Sequence, residues 1–147
     1  MELEDILLKV QKPGRYIGGE QGAVIKDKSK IDVRFAFCFA DSYEVGMSHL
    51  GMKILYSVAN TPEWAWCERV FAPWDDMEAQ MREHNIPLYA LESGDPIKDF
   101  DIIGFTIPYE MCYTNILQIL DLAQIPFYAK SRDWDVPVVI GGGPCTY

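Results

Sequence analysis

The chain has 147 residues, 49% hydrophobic and 24% charged, a composition that fits one globular domain and excludes a disordered, collagen-like or low-complexity chain. No run of about 18 apolar residues occurs, and the start Met1-Glu-Leu-Glu-Asp5 lacks the basic and apolar regions of a signal peptide, so a cytoplasmic protein without a membrane span is expected. Thirteen basic against 22 acidic residues give a net charge of −9, a repulsive field that makes nucleic acid a poor partner.

The charge is uneven. Residues 1–30 carry six basic and five acidic residues, so the acidic excess lies in the body, and residues 1–30 read as an N-terminal extension before a domain of 31–147. Leu3, Ile6, Leu7 and Val10 share one face of a short helix over 3–10, ended by Pro13-Gly14. Residues 13–30 read as loop or hairpin, with Gly18, Gly19 and Gly22 as punctuation. Few apolar residues lie there, so this stretch is expected to pack on a neighbouring domain rather than on the body. Val33–Ala40 is an aromatic-rich buried strand. A helix follows over 47–59, with Met47, Leu50, Ile54, Leu55 and Val58 as its core face. Cys67–Ala72 is a short strand. Asp75 is the expected N-cap of a helix over 76–84, completed as a capping box by Glu78. Pro87–Leu91 reads as a further short strand.

Asp101–Thr106 is a nearly continuous apolar strand. A helix over 110–123 presents Met111, Ile116, Leu117, Leu120 and Ala123, and Pro137–Ile140 is another apolar strand, stopped by Gly141-Gly142-Gly143-Pro144. Strands apolar on both faces, alternating with helices, predict a doubly wound α/β fold with a mostly parallel, flavodoxin-like sheet of about five strands. Ligands of such sheets sit beyond the C-terminal strand ends. Three loops leave those ends, at 40–46, 106–110 and 141–145.

Asp41 is either a ligand-facing carboxylate or a cap for the next helix. Thr106 and Glu110 either face the cleft or cap locally. Three successive glycines, Gly141 to Gly143, allow a ligand's flat face close to the backbone or simply make a tight turn. The aromatic group Trp64, Trp66, Phe71 and Trp74 reads as packing, and His49 as a core or surface residue. The cysteines at 38, 67, 112 and 145 are too widely spaced for a zinc site or a redox pair and read as reduced, mostly core thiols. With only His49 and His84 available, no nucleophile–base set is legible, and the domain is not expected to be catalytic by itself.

Asp41-x-Tyr43-x-x-Gly46, Asp101-Ile-Ile-Gly-Phe-Thr106 and Pro137-Val-Val-Ile-Gly-Gly-Gly-Pro144, in this order and at these intervals, resemble the cobalamin-binding-type domain of radical S-adenosylmethionine (SAM) proteins. Arg15-Tyr-Ile-Gly-Gly-Glu20, Tyr43-Glu-Val-Gly-Met-Ser-His-Leu-Gly51, Arg69-Val-Phe-Ala-Pro-Trp74 and Leu91-Glu-Ser-Gly94 resemble a branch of bacterial iron–sulfur oxidoreductases of unknown substrate. The resemblance spans residues 13–147. It implies a cleft lined by Asp41, Tyr43, Gly46, Thr106, Gly141, Gly142 and Gly143, with a corrin across the strand ends. The family pattern has a cobalt-ligating histidine where this chain has Tyr43, so cobalamin would bind here without a histidine ligand.

The resemblance also implies a downstream radical domain holding a [4Fe–4S] cluster on C-x-x-x-C-x-x-C and SAM, a motif this sequence lacks. The expectation is therefore a C-terminally truncated piece of a radical SAM enzyme. A helix missing after the glycine turn would leave a sheet flank bare and promote self-association. The alternatives are an interaction or structural domain that has lost cobalamin, and a free-standing flavodoxin-like enzyme.

Overall fold

The computed structural model describes residues 3–146. Strands β1 (Val33–Phe39), β2 (Ala65–Phe71), β3 (Ile102–Thr106) and β4 (Val138–Gly142) alternate with helices α2 (Tyr43–Ser48), α3 (Leu50–Ala59), α4 (Asp75–His84) and α5 (Cys112–Leu122), after a short α1 (Leu3–Leu7). All pairings are parallel and the order is β2-β1-β3-β4. Among the described residues the sheet has four strands, against the expected five or so. Residues 87–91 fail as a strand because their backbone groups are used elsewhere. Leu88 N–H donates to Leu122, Leu91 N–H to Arg69, and Tyr89 makes only an isolated antiparallel bridge to Pro96.

The two-residue period of β1 divides the core. Ala36 and Cys38 turn to one face with Val70, Ile103 and Phe105, and are covered by Met77 and Met81 of α4, Ile119 and Leu120 of α5, and Ile6 of α1. Phe37 and Phe39 turn to the other with Cys67 and Phe71, and are covered by Met52 and Tyr56 of α3. Helices thus cover both faces, as parallel sheets require. On the α3 side, cover stops short of the β4 edge. Val138 and Ile140 stay 61% and 51% exposed.

The helix expected over 47–59 is two helices. His49 adopts extended backbone between them, and its Nδ1 accepts the Met52 N–H at 3.2 Å as the N-cap of α3. This re-aims α3. Met52 and Tyr56 face the sheet, whereas the expected core residues Leu50, Ile54, Leu55 and Val58 are exposed. Met111, at the N-cap of α5, and Leu117 within it are likewise exposed, and Cys112, Ile119 and Leu122 are buried instead. The capping box does not form. Helix α4 begins at Asp75, one residue early, and Glu78 pairs with Arg82 and Gln118. The tryptophans expected to pack do so only in part. Trp66 is buried, whereas Trp64 and Trp74 are each about half exposed.

Residues 13–30 pack on this domain, contrary to expectation. The Lys26 ammonium donates to the carbonyls of Asn60, Pro62 and Ala65 at 2.8, 2.7 and 2.6 Å. Trp66 Nε1–H donates to Val24 O at 2.9 Å, and Val24 N–H donates to Tyr56 Oη at 2.8 Å. Gly18, at φ +68°, lies against the Leu91 carbonyl where a Cβ would not fit. Polar tethers hold the segment in place of apolar anchors.

One tether is pH-sensitive. Partial burial works against ionisation of Asp95, but Lys28 and Arg34, at 2.5 and 2.8 Å, hold its carboxyl below the ordinary 3.8. A depressed folded value gives stability that is complete above 3.8 and lost as pH falls through that lower value. Urea midpoints measured down the acid range should therefore fall less steeply for Asp95→Asn than for the native chain; parallel curves would contradict it.

Candidate functional site

The sheet order reverses at β1, because β1 connects outward to β2 while β3 lies on its other side. The loops after β1 and β3 leave towards opposite faces, α2 to one and α5 to the other, which opens a crevice at the strand ends in such folds. The structure brings Asp41, Thr106, Gly141, Gly142 and Gly143 to these ends. Thr106 pairs with Phe39 and Gly142 in register and is half-buried.

The crevice is bridged by the chain itself. Tyr109 Oη–H donates a very short hydrogen bond to Asp41 Oδ2. Asp41 Oδ1 accepts the Ser42 N–H at 2.6 Å, and Asn115 Nδ2–H donates to Ala40 O at 2.9 Å from α5. Burial first, then the Asp41 carboxylate, push the Tyr109 phenol above its ordinary value and keep it a donor. Asp41 is not a helix cap, since α2 has Ser42 at its N-cap with no side-chain cap bond. Glu110 is exposed and caps nothing.

Tyr43 and Gly46 point elsewhere. The Tyr43 ring packs edge-on against Phe71 at 5.5 Å. Partial burial, then the Glu20 carboxylate, raise its phenol above the ordinary value, so it stays neutral. Gly46 is buried, and a Cβ there would run into the Phe71 ring and come within 3.2 Å of Phe39. Its glycine serves helix-to-sheet packing. Gly143 has φ +123° and lies against Ile107, whose O would be 2.6 Å from a Cβ, so it makes a tight turn. Gly142 has open space on its Cβ side, and Gly141 only ordinary contacts.

Residues 51–147 match the family model described as radical SAM proteins, N-terminal. The chain belongs to this family. No curated protein and no solved structure matches it. For this radical SAM N-terminal domain, the residues at hand do not fit axial ligation of cobalt. The side chain at the ligand position is a neutral phenol held on Phe71, and the aspartate that would orient a ligand is taken by Tyr109. Among the described residues no three His, Cys, Asp or Glu side chains converge as a metal site, and no helix is long and apolar enough to cross a membrane.

Neither Tyr109 nor Asn115 stands in a pattern that the sequence marks as a site. Pro108, two residues after β3, is a signal that Tyr109 sits near a strand end. Its pairing with Asp41, 68 residues away, had no local signal. A second polar cluster, around Arg69, Glu92 and Glu20, was also missed; Glu92 and Arg69 appeared only inside family-like segments.

Proposed function

We propose that this chain is the accessory α/β domain of a radical SAM protein, a scaffold for the radical domain that has given up axial cobalamin binding. The observation that carries this reading is the Tyr109–Asp41 hydrogen bond across the strand-end crevice, with Tyr43 turned onto Phe71. The [4Fe–4S] cluster and SAM would belong to the radical domain, and this domain would take no part in the chemistry by itself. Its contribution is surface. The uncovered flank at Val138 and Ile140 offers an apolar landing site for the radical domain, or for a second copy of the chain when that domain is absent. Four free cysteines, three of them buried, suit a reducing cytoplasm.

A second reading keeps the corrin without a protein ligand, resting over Gly141 and Gly142. The open backbone at Gly142 favours it. Titration with hydroxocobalamin, followed by visible spectrum and heat, separates the two. The scaffold reading expects no saturable change up to millimolar cofactor. Saturable micromolar binding with a spectrum lacking imidazole ligation would replace it by the second reading.

A further inference from the structure

Helix α3 is apolar on more of its surface than its own sheet can use. Lys53 is its one charged residue, so it lacks the charged outer face of a helix that borders solvent, and a helix hydrophobic all round is normally enclosed. Met52 and Tyr56 turn to the sheet. At 100° per residue, Leu50, Ile54 and Val58 form a ridge on the opposite side, with Leu55 on a flank. All four are more than half exposed. Lys53, Tyr56 and Ser57 line a cavity together with Arg69 of β2. Leu55, on the other flank, therefore leans towards β3 and β4.

That half of the same sheet face is a recess. Ile102, Gly104 and Thr106 of β3 stand in register with Phe35, Phe37 and Phe39 on one side and with Val138, Ile140 and Gly142 of β4 on the other. Helix α3 covers the β1–β2 half, and Val138 and Ile140 stand bare. Ridge and recess share dimensions. A helix of 10 residues is about 15 Å long and about 10 Å wide. Two strands of 5 residues make a floor of about 16 by 10 Å. A helix laid beside α3 would fill the recess and leave the ridge bare, because the ridge points away from the sheet. A second copy covers both at once. Turned about a two-fold axis that runs along the strands, it lays its own α3 over β3 and β4 of the first copy and receives the first copy's α3 in return. A closed two-fold interface requires this self-complementarity.

We propose that the chain forms a symmetric dimer in which the two α3 helices lie side by side between the two sheets, the Leu50–Ile54–Val58 ridge of each on the Val138–Ile140 floor of the other. Leu55 meets its counterpart across the axis. Lys53 stays on the outer flank, so the interface buries no charge. The proposal deepens the scaffold reading by naming one partner for its uncovered flank; a cobalamin response would remove that reading and leave the dimer measurable.

Sedimentation equilibrium should give twice the chain mass at micromolar concentration. Ile54→Lys and Ile140→Glu each place a charge at an exposed position, so neither should unfold the chain. Each should weaken the dimer at least a hundredfold, since the symmetry repeats the charge. Mixed in equal amounts, the two variants should pair again, because one lysine then meets one glutamate and the other ridge and floor are native. Leu117→Glu, at a similarly exposed position of α5 on the opposite face of the sheet, should leave the dimer intact. A monomer at near-millimolar concentration overturns the proposal and leaves the face to the radical domain. A dimer that both charges spare overturns it too, as do two variants that stay monomeric when mixed, which is the pattern of ridge on ridge. Should either variant fail to fold, dilution of the native chain decides: amide shifts must fall on both α3 and β4, and shifts confined to α3 overturn the dimer.

Discussion

Arg34→Met should destabilise the domain by about 3–5 kcal/mol, a large share of the roughly 5–15 kcal/mol that holds a domain folded. The reason is Glu68. Its side chain is fully buried in the edge strand β2, and Arg34 satisfies Oε1 from Nη2 at 2.5 Å and from Nε at 3.2 Å. The Ser93 N–H donates to Oε2 at 2.9 Å. The guanidinium also lies over the Phe100 ring at 4.0 Å and reaches Asp95 at 2.8 Å, where the Lys28 ammonium joins it. Methionine keeps the apolar stem and removes the charge, which leaves a carboxylate in the interior with one hydrogen bond. The double variant Arg34→Met, Glu68→Met should recover much of the loss, because two apolar side chains of similar length cost less than one stranded charge. Urea midpoints at neutral pH measure both. A single variant within about 1 kcal/mol of the native chain would mean that Glu68 finds water, and that the β2 edge is looser than its burial implies.

The same network explains what could be read from the sequence and what could not. The apolar runs at Phe35–Phe39, Ile102–Phe105 and Val138–Ile140 made the parallel sheet legible, because none of them shows the polar alternation of a half-exposed strand. Loops at the strand ends followed from that. Helix faces were less legible. His49 reads as any residue inside a periodic stretch, yet by capping α3 it rotates the helix and brings Leu50, Ile54 and Val58 to the surface. Charged residues were the least legible. Arg34, Glu68, Arg69 and Glu92 look like surface positions in a list, and only the fold brings 34 to 68 and 69 to 92. Long-range pairing of this kind leaves no periodic trace. The crevice shows both limits: Asp41 was found from its place after β1, and Tyr109, which occupies it, was not.

The glycine turn turns this difference between place and purpose into an experiment. Gly143→Ala should cost about 2–4 kcal/mol, since φ +123° is a conformation that side chains rarely adopt and the new Cβ would sit 2.6 Å from Ile107 O and 3.0 Å from its carbonyl carbon. The damage should be local first. The Ile107 N–H donates to Gly142 at 2.8 Å and the Cys145 N–H to Ile107 at 3.3 Å, so both amides should exchange faster. Gly142→Ala meets nothing within 4 Å and should stay within about 0.5 kcal/mol of the native chain. If the two variants behave this way and neither alters the response to hydroxocobalamin, the run of glycines is a turn, which is what the scaffold reading requires. If Gly142→Ala keeps full stability and abolishes a measurable cobalamin response, the open backbone is a ligand surface. The chain would then hold the corrin without any ligand to cobalt.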